Sequence, residues 1–296
     1  MEFNLPKQIY TKEGKLRKAG FELEFGHLDL DAAVACIIEL YGGEEVMENE
    51  FNRDIINTEL GKFCLRADAR ALAGKTYAPT LEALGINPDN AFLENMIKSV
   101  AVLVVPNEVS MPPLPFTDIH KLDKLRELLF ENKATDTRVS ILNRYATHIN
   151  IELPGLDPKT ILNYLRAFFL LYQVLLKRSD IQFKRKVSGY IQPYPKNYIK
   201  RVLSTVYQPD MQQLMNDYHS FNPDRNRPLD LYPLFAFIDR ERTDTFDGIG
   251  KANARPALHY RLPNSLVDEE GWSLAVEWNR WVYIDDLATS HEINDL

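Results

Sequence analysis

Disulfide chemistry is the first thing this sequence lacks. Two cysteines among 296 residues, Cys36 and Cys64, cannot frame a fold and point to a reducing compartment. A long uninterrupted apolar run is missing too. The most apolar segment, Ile161 to Leu176, is broken by Asn163, Arg166 and Gln173, so it reads as a buried helix and excludes a membrane span. The opening M-E-F-N-L-P-K has no charged start followed by an apolar stretch, so no signal peptide is expected. Basic charge is in deficit, with 35 Lys and Arg against 42 Asp and Glu and a formal net charge of −7. That argues against nucleic acid as a partner over much of the surface, while leaving room for a local basic groove. Repeats, low-complexity stretches and linkers are absent as well, and a single domain over residues 1–296 is the simpler account. These absences together describe a soluble cytoplasmic protein without a membrane partner.

What is present is organised around Gly20 to Phe25, read G-F-E-L-E-F. As a strand it puts Phe21, Leu23 and Phe25 on one face and Glu22 and Glu24 on the other. Adjacent carboxylates repel, and such a pair is kept by cations, by basic partners or by open water. A half-exposed strand with a solvated acidic face would show the same alternation.

The remaining elements follow from period and punctuation. Residues up to Lys18 read as an arm leading into the first strand. Asp29 or Asp31 caps a helix that stops at Gly42 and Gly43. Gly61 to Leu65 resumes a period of two, with Phe63, Leu65 and Ala67 opposed to Cys64, Arg66 and Asp68. Asn90 to Lys98 is weakly helical, and Val100 to Val105 reads as a buried strand running into Asn107 to Leu114, where Glu108 and Ser110 precede two prolines. A helix spans Asp118 to Phe130. Ala146 to Pro154 is a second informative strand, with Ile149, Ile151 and Leu153 inward and His148, Asn150 and Glu152 outward. Asp157 and Pro158 open the longest helix. The basic run Lys184 to Lys186 is a solvated connection. Met211 to Tyr218 is helical, Leu229 to Ile238 reads as a strand, and Arg255 to Pro263 alternates Leu258, Tyr260 and Leu262 against His259 and Arg261. A final helix runs from Asp268 to Leu287.

Taken in order, G-F-E-L-E-F, G-K-F-C-L-R-A-D, N-E-V-S-M-P-P-L, H-I-N-I-E and H-Y-R-L-P resemble the motifs of the amidoligase family. That family belongs to the carboxylate-amine ligase superfamily with glutamine synthetase and glutamate-cysteine ligase, and the resemblance runs from Gly20 to Leu287. It implies an α+β fold: a curved antiparallel sheet of the glutamine synthetase/glutamate-cysteine ligase type, with helices on its convex face. It implies a ligase that uses ATP and Mg2+, with Mn2+ as a substitute. A substrate carboxylate would be activated as an acyl phosphate and joined to an amine, the partners being small molecules or peptides that carry those groups.

Position by position, the resemblance assigns Glu22 and Glu24 to the paired metal carboxylates, Glu108 to the acid before S/T-x-P, and Asp68 to the acid of a D-x-S segment. His148 falls at the first histidine of an HxH motif and contacts both metal and nucleotide. Arg261 falls at the phosphate-contacting arginine of an ExR strand; Arg255, as easily a surface arginine as a substrate contact, is a further candidate for holding the cofactor. Arg261 and Glu108 would carry the chemistry. There are three departures: Asn150 replaces the second histidine, Ala69 and Arg70 stand in place of the small residue and serine, and His259 replaces the glutamate of ExR, a candidate metal ligand in its stead. The alternative function is therefore a degenerate, non-catalytic member that binds a nucleotide or a protein partner. A guanidino kinase would share a related sheet, but its characteristic segments are absent.

Overall fold

The computed structural model describes residues 1–26, 28–67, 107–132, 145–178 and 191–294. The expected strand over Val100 to Val105, the helix over Asn90 to Lys98, Asp68 and the basic run at Lys184 lie outside the described residues. Within them, nine strands form one sheet, every pairing antiparallel. They are β1 (Lys18–Phe25), β2 (Glu44–Asn49), β3 (Asn52–Thr58), β4 (Gly61–Ala67), β5 (Asn107–Ser110), β6 (Leu114–Pro115), β7 (Thr147–Glu152), β8 (Leu229–Asp230) and β9 (Ala257–Tyr260). The order across the open sheet is β2-β3-β4-β5-β1-β7-β9-β8, with β6 pairing the start of β1. The helices are α1 (Leu30–Tyr41), α2 (Asp123–Glu131), α3 (Pro158–Arg178), α4 (Lys196–Val202), α5 (Met211–Phe221), α6 (Tyr232–Ile238), α7 (Arg240–Asp244), α8 (Leu274–Ala288) and α9 (His291–Asn294).

The alternation in β1 decides which face is covered. Phe21, Leu23 and Phe25 are fully buried, and each such side chain contributes about 1.5–3 kcal/mol on leaving water. Trp278 of α8 packs against Phe21 and Phe116, with ring centroids 6.5 and 4.9 Å apart. Trp281, a turn later, meets Tyr260 of β9 at 5.1 Å and Tyr164 of α3 at 6.1 Å. α1 covers the β3–β4 end of the same face, where Tyr41 stacks on Phe63 at 5.3 Å. Its ends follow the sequence signals: Asp29 accepts from the Ala32 N–H at 2.7 Å, and Gly42 closes the helix at φ 66°. Asp157 caps α3 in the same way, accepting from the Thr160 N–H at 3.0 Å.

Two sequence expectations change, and the N-terminal arm gains its anchor. Leu229 to Ile238 is a strand for two residues only and then becomes α6, with Pro233 in its first turn. Leu229 to Ala236 is buried throughout, so its apolar run carries no period that separates strand from helix, and the proline favours the helix. The last helix begins at Leu274 instead of Asp268, because Ser273 is its cap and accepts from the Ala275 N–H at 3.0 Å. The N-terminal arm is fixed in place. Arg17 is fully buried, pairs with Asp285 at 2.6 Å and donates to the Tyr164 hydroxyl at 3.0 Å and the Glu152 carbonyl at 2.9 Å. Among the described residues, no helix is long and apolar enough to cross a membrane.

Candidate metal centre

Helices occupy one face of the sheet, and the odd-numbered positions of β1 turn toward them. The even-numbered positions face the other way, and the antiparallel register lines them up. Glu22 lies opposite Ser110 of β5 and His148 of β7, and Glu24 lies opposite Glu108 of β5. One strand further on, Asn150 of β7 lies opposite His259 of β9. Four segments remote in sequence thereby place their polar side chains in one row.

Glu22 is the hub. Its Oε1 accepts from Asn150 Nδ2 at 2.9 Å and from an Arg255 guanidinium nitrogen, NH1, at 3.0 Å. Its Oε2 lies 3.0 Å from His148 Nδ1 and 4.0 Å from His259 Nε2. Because the Asn150 amide donates to the carboxylate, its carbonyl oxygen is what faces His259 Nδ1 at 2.8 Å. That nitrogen therefore carries the hydrogen, and in the neutral ring Nε2 keeps the lone pair. The same reasoning makes His148 Nδ1 the donor to Glu22. The two imidazoles stand edge to face, 5.0 Å between centroids.

Burial and charge set the protonation states. Glu22, His148 and His259 are only 9, 8 and 5% exposed. Burial works against ionisation of Glu22, but His259, His148 and Arg255 outweigh it and hold the carboxyl well below the usual carboxylate range. Burial favours neutral His259 and pushes its pKa well down; Glu22 opposes the shift, while His148, Arg255 and Arg261 reinforce it. Glu108 moves the other way from Glu22: burial, with Glu22 and Glu24 nearby, pushes its carboxyl up to about 7, although His148 and Ser110 pull against the shift.

These side chains form two groups whose ligand atoms lie within 4.8 Å of one another: Glu22, His148 and His259, and Glu24, Glu108 and His148. His148 belongs to both. The second group is rich in oxygen and suits a hard divalent cation, whereas the first, with two imidazoles, suits manganese or a later metal better than magnesium.

Of the residues singled out from sequence, the fold brings together Glu22, Glu24, Glu108, His148, His259 and Arg255. Arg261, just past β9, donates through NH1 to the Arg225 carbonyl. Two of the three departures, Asn150 and His259, are cross-strand partners in direct hydrogen-bond contact, so an imidazole is retained, carried by β9; the third, Ala69 and Arg70, lies outside the described residues. Asp230 went unnoticed in the sequence. Fully buried on β8 opposite His259, it binds Arg225 Nε at 2.9 Å and the Tyr232 N–H at 3.0 Å. Burial raises its pKa, against the pull of Arg225. No signal could have found it, because its two-residue strand is embedded in the misread apolar run.

The family described as "Putative amidoligase enzyme" matches residues 15–283. No curated protein and no solved structure matches the chain.

Proposed function

The chain belongs to the amidoligase family, and on that premise we propose that it is an ATP-dependent ligase joining a carboxylate to an amine on the acidic face of its sheet. The observation that carries this reading is the convergence of Glu22, Glu24, Glu108, His148 and His259 into two donor groups that share His148. Oxygen and imidazole donors at that spacing fit divalent cations, Mg2+ or Mn2+. When bound, such cations neutralise phosphate oxygens as charge develops in phosphoryl transfer.

The protein's own groups have separate tasks. Glu24 and Glu108 hold the oxygen-rich position, and Glu108 must shed its proton to do so. Glu22 orients His148 and, through Asn150, His259. Arg255 and Arg261 are planar donor forks suited to phosphate or carboxylate oxygens. In the reaction, a carboxylate oxygen of the substrate attacks the γ-phosphorus and ADP leaves. The amine nitrogen then attacks the acyl carbon, the carbon–oxygen bond to phosphate breaks, and the amide forms as the nitrogen loses a proton. Substrates are small molecules or peptides carrying the two groups. The mixed fold, with helices on one face and a polar row on the other, supports a sheet of the glutamine synthetase/glutamate-cysteine ligase type, within one domain. Free Cys36 and Cys64 suit the cytoplasm.

A nonhydrolysable ATP analogue titrated with and without magnesium tests the site. The reading expects binding only with the metal, and equal affinity in both conditions would sink it. ADP release across panels of carboxylates and amines then separates a ligase from a binding protein without turnover.

A further inference from the structure

The Arg255 guanidinium lies against two of the three side chains in the imidazole-rich group. NH1 pairs with Glu22 Oε1 at 3.0 Å, and NH2 lies 3.4 Å from His259 Nδ1. Only the first of these contacts is favourable. His259 Nδ1 already donates to Asn150, so NH2 points one hydrogen at another. The Nε of Arg255 is buried and finds no acceptor among the described residues. A guanidinium in its best position would satisfy that edge, since a buried donor without a partner is costly. The ion pair with Glu22 therefore holds Arg255 in an otherwise poor pose. The side chain leaves the segment just before β9 and keeps a side-chain exposure of 30%, so it has an open route outward.

We infer that Arg255 is an internal counter-ion for Glu22, which a divalent cation entering the Glu22, His148 and His259 group must displace. A dication drawn to Oε2, the oxygen that faces both histidines, would repel the guanidinium held on Oε1 of the same carboxylate, so loading the cation and releasing the arginine are coupled. The metal-free protein avoids an uncompensated buried carboxylate, and the cost appears as weakened metal affinity. Release also frees the whole planar fork at the moment when a cation is present. This inference rests on the cation reading of the site.

The test is calorimetric titration of manganese chloride into wild type, Arg255→Gln, Arg255→Lys and His259→Ala. Arg255→Gln should bind manganese about 10-fold more tightly or better, Arg255→Lys should stay near wild type because it keeps the competing charge, and His259→Ala, which removes a donor of this group alone, should bind more weakly. A merely structural arginine would give the opposite sign on removal. If Arg255→Gln binds no more tightly than wild type while His259→Ala still weakens binding, the counter-ion role is wrong and the metal centre stands. If manganese binds none of the four, the cation reading fails and takes this inference with it. A second measurement avoids any folding defect in the variants. In the wild-type arginine side-chain NMR spectrum, the protected Nε–H of Arg255, assigned by its loss in Arg255→Lys, should move and exchange faster as zinc, which is diamagnetic and suits an imidazole-rich group, is added. A resonance unmoved at saturating zinc overturns displacement.

Discussion

Replacing Glu108 by glutamine should stabilise the metal-free protein, although it deletes a charged residue from the site. In the unfolded chain this carboxyl ionises near 4.5, and in the fold only near 7. Between those values the native state binds more protons than the unfolded state, so this group makes stability fall as pH rises through that window. Each unit of separation is about 1.4 kcal/mol, which puts the full penalty at roughly 3 kcal/mol above pH 7. Glutamine keeps the shape and the Ser110 contact and carries no charge at any pH. Denaturant unfolding of wild type and Glu108→Gln, both free of metal, should show the variant more stable by about 2–3 kcal/mol at pH 8. The difference should shrink through pH 6 and vanish by pH 4. Saturating magnesium should reverse the order, because only the wild-type carboxylate gains from the cation. A variant less stable than wild type at pH 8 without metal would mean that the carboxylate has a favourable partner. The account of this carboxyl as disfavoured by burial and by its acidic neighbours would then be refuted.

Glu24→Gln should abolish metal-dependent binding of the ATP analogue while leaving the unfolding midpoint within a few tenths of a molar of wild type, because the side chain is only half-buried. A large loss of metal-free stability would mark it as a structural group. Arg261→Lys should keep nucleotide affinity and lower turnover by tenfold or more, since it loses the planar fork but not the charge; full activity would remove Arg261 from the phosphate role. Asp285→Ala, which strands the buried Arg17 guanidinium, should cost about 3–5 kcal/mol in chemical denaturation without changing the metal stoichiometry. A cost under 1 kcal/mol would show that the tyrosine and backbone contacts suffice.

The acidic face was legible because a period of two separates wet from dry wherever one side of a strand is buried. Glu22 with Glu24, His148 with Asn150, and His259 all came out of that rule. Their mutual contacts were not legible. Asn150 and His259 meet only through the register of β7 on β9, fixed by residues more than a hundred positions apart. Strand β2 escaped notice for the opposite reason: Glu44 to Asn49 is exposed along its whole length, so there is no inward set to alternate with. Arg17 was read only as part of an arm leading into the first strand, because the stretch has scattered basic residues and little periodicity. Burial of such a residue needs a partner, and Asp285 arrives from the far end of the chain. The segment from Leu229 to Ile238 failed because its first eight residues are buried on all sides, and such a run has no phase.

The order of strands also sets a schedule. β1 lies near the middle of the sheet, yet β5 and β7, which flank it, begin at Asn107 and Thr147, and β9, which brings His259, begins only at Ala257. During synthesis the strand bearing Glu22 and Glu24 must wait with both edges unpaired. Such long-range pairings close slowly, because loop entropy is spent before any contact rewards it. The waiting strand also presents Phe21, Leu23 and Phe25 to other chains, so the interval is one of aggregation risk, which a chaperone would cover and a slow ribosome would lengthen. The same delay protects the chemistry. No chain that ends before His259 holds the imidazole-rich donor set, so a nascent or truncated protein cannot trap a transition metal there.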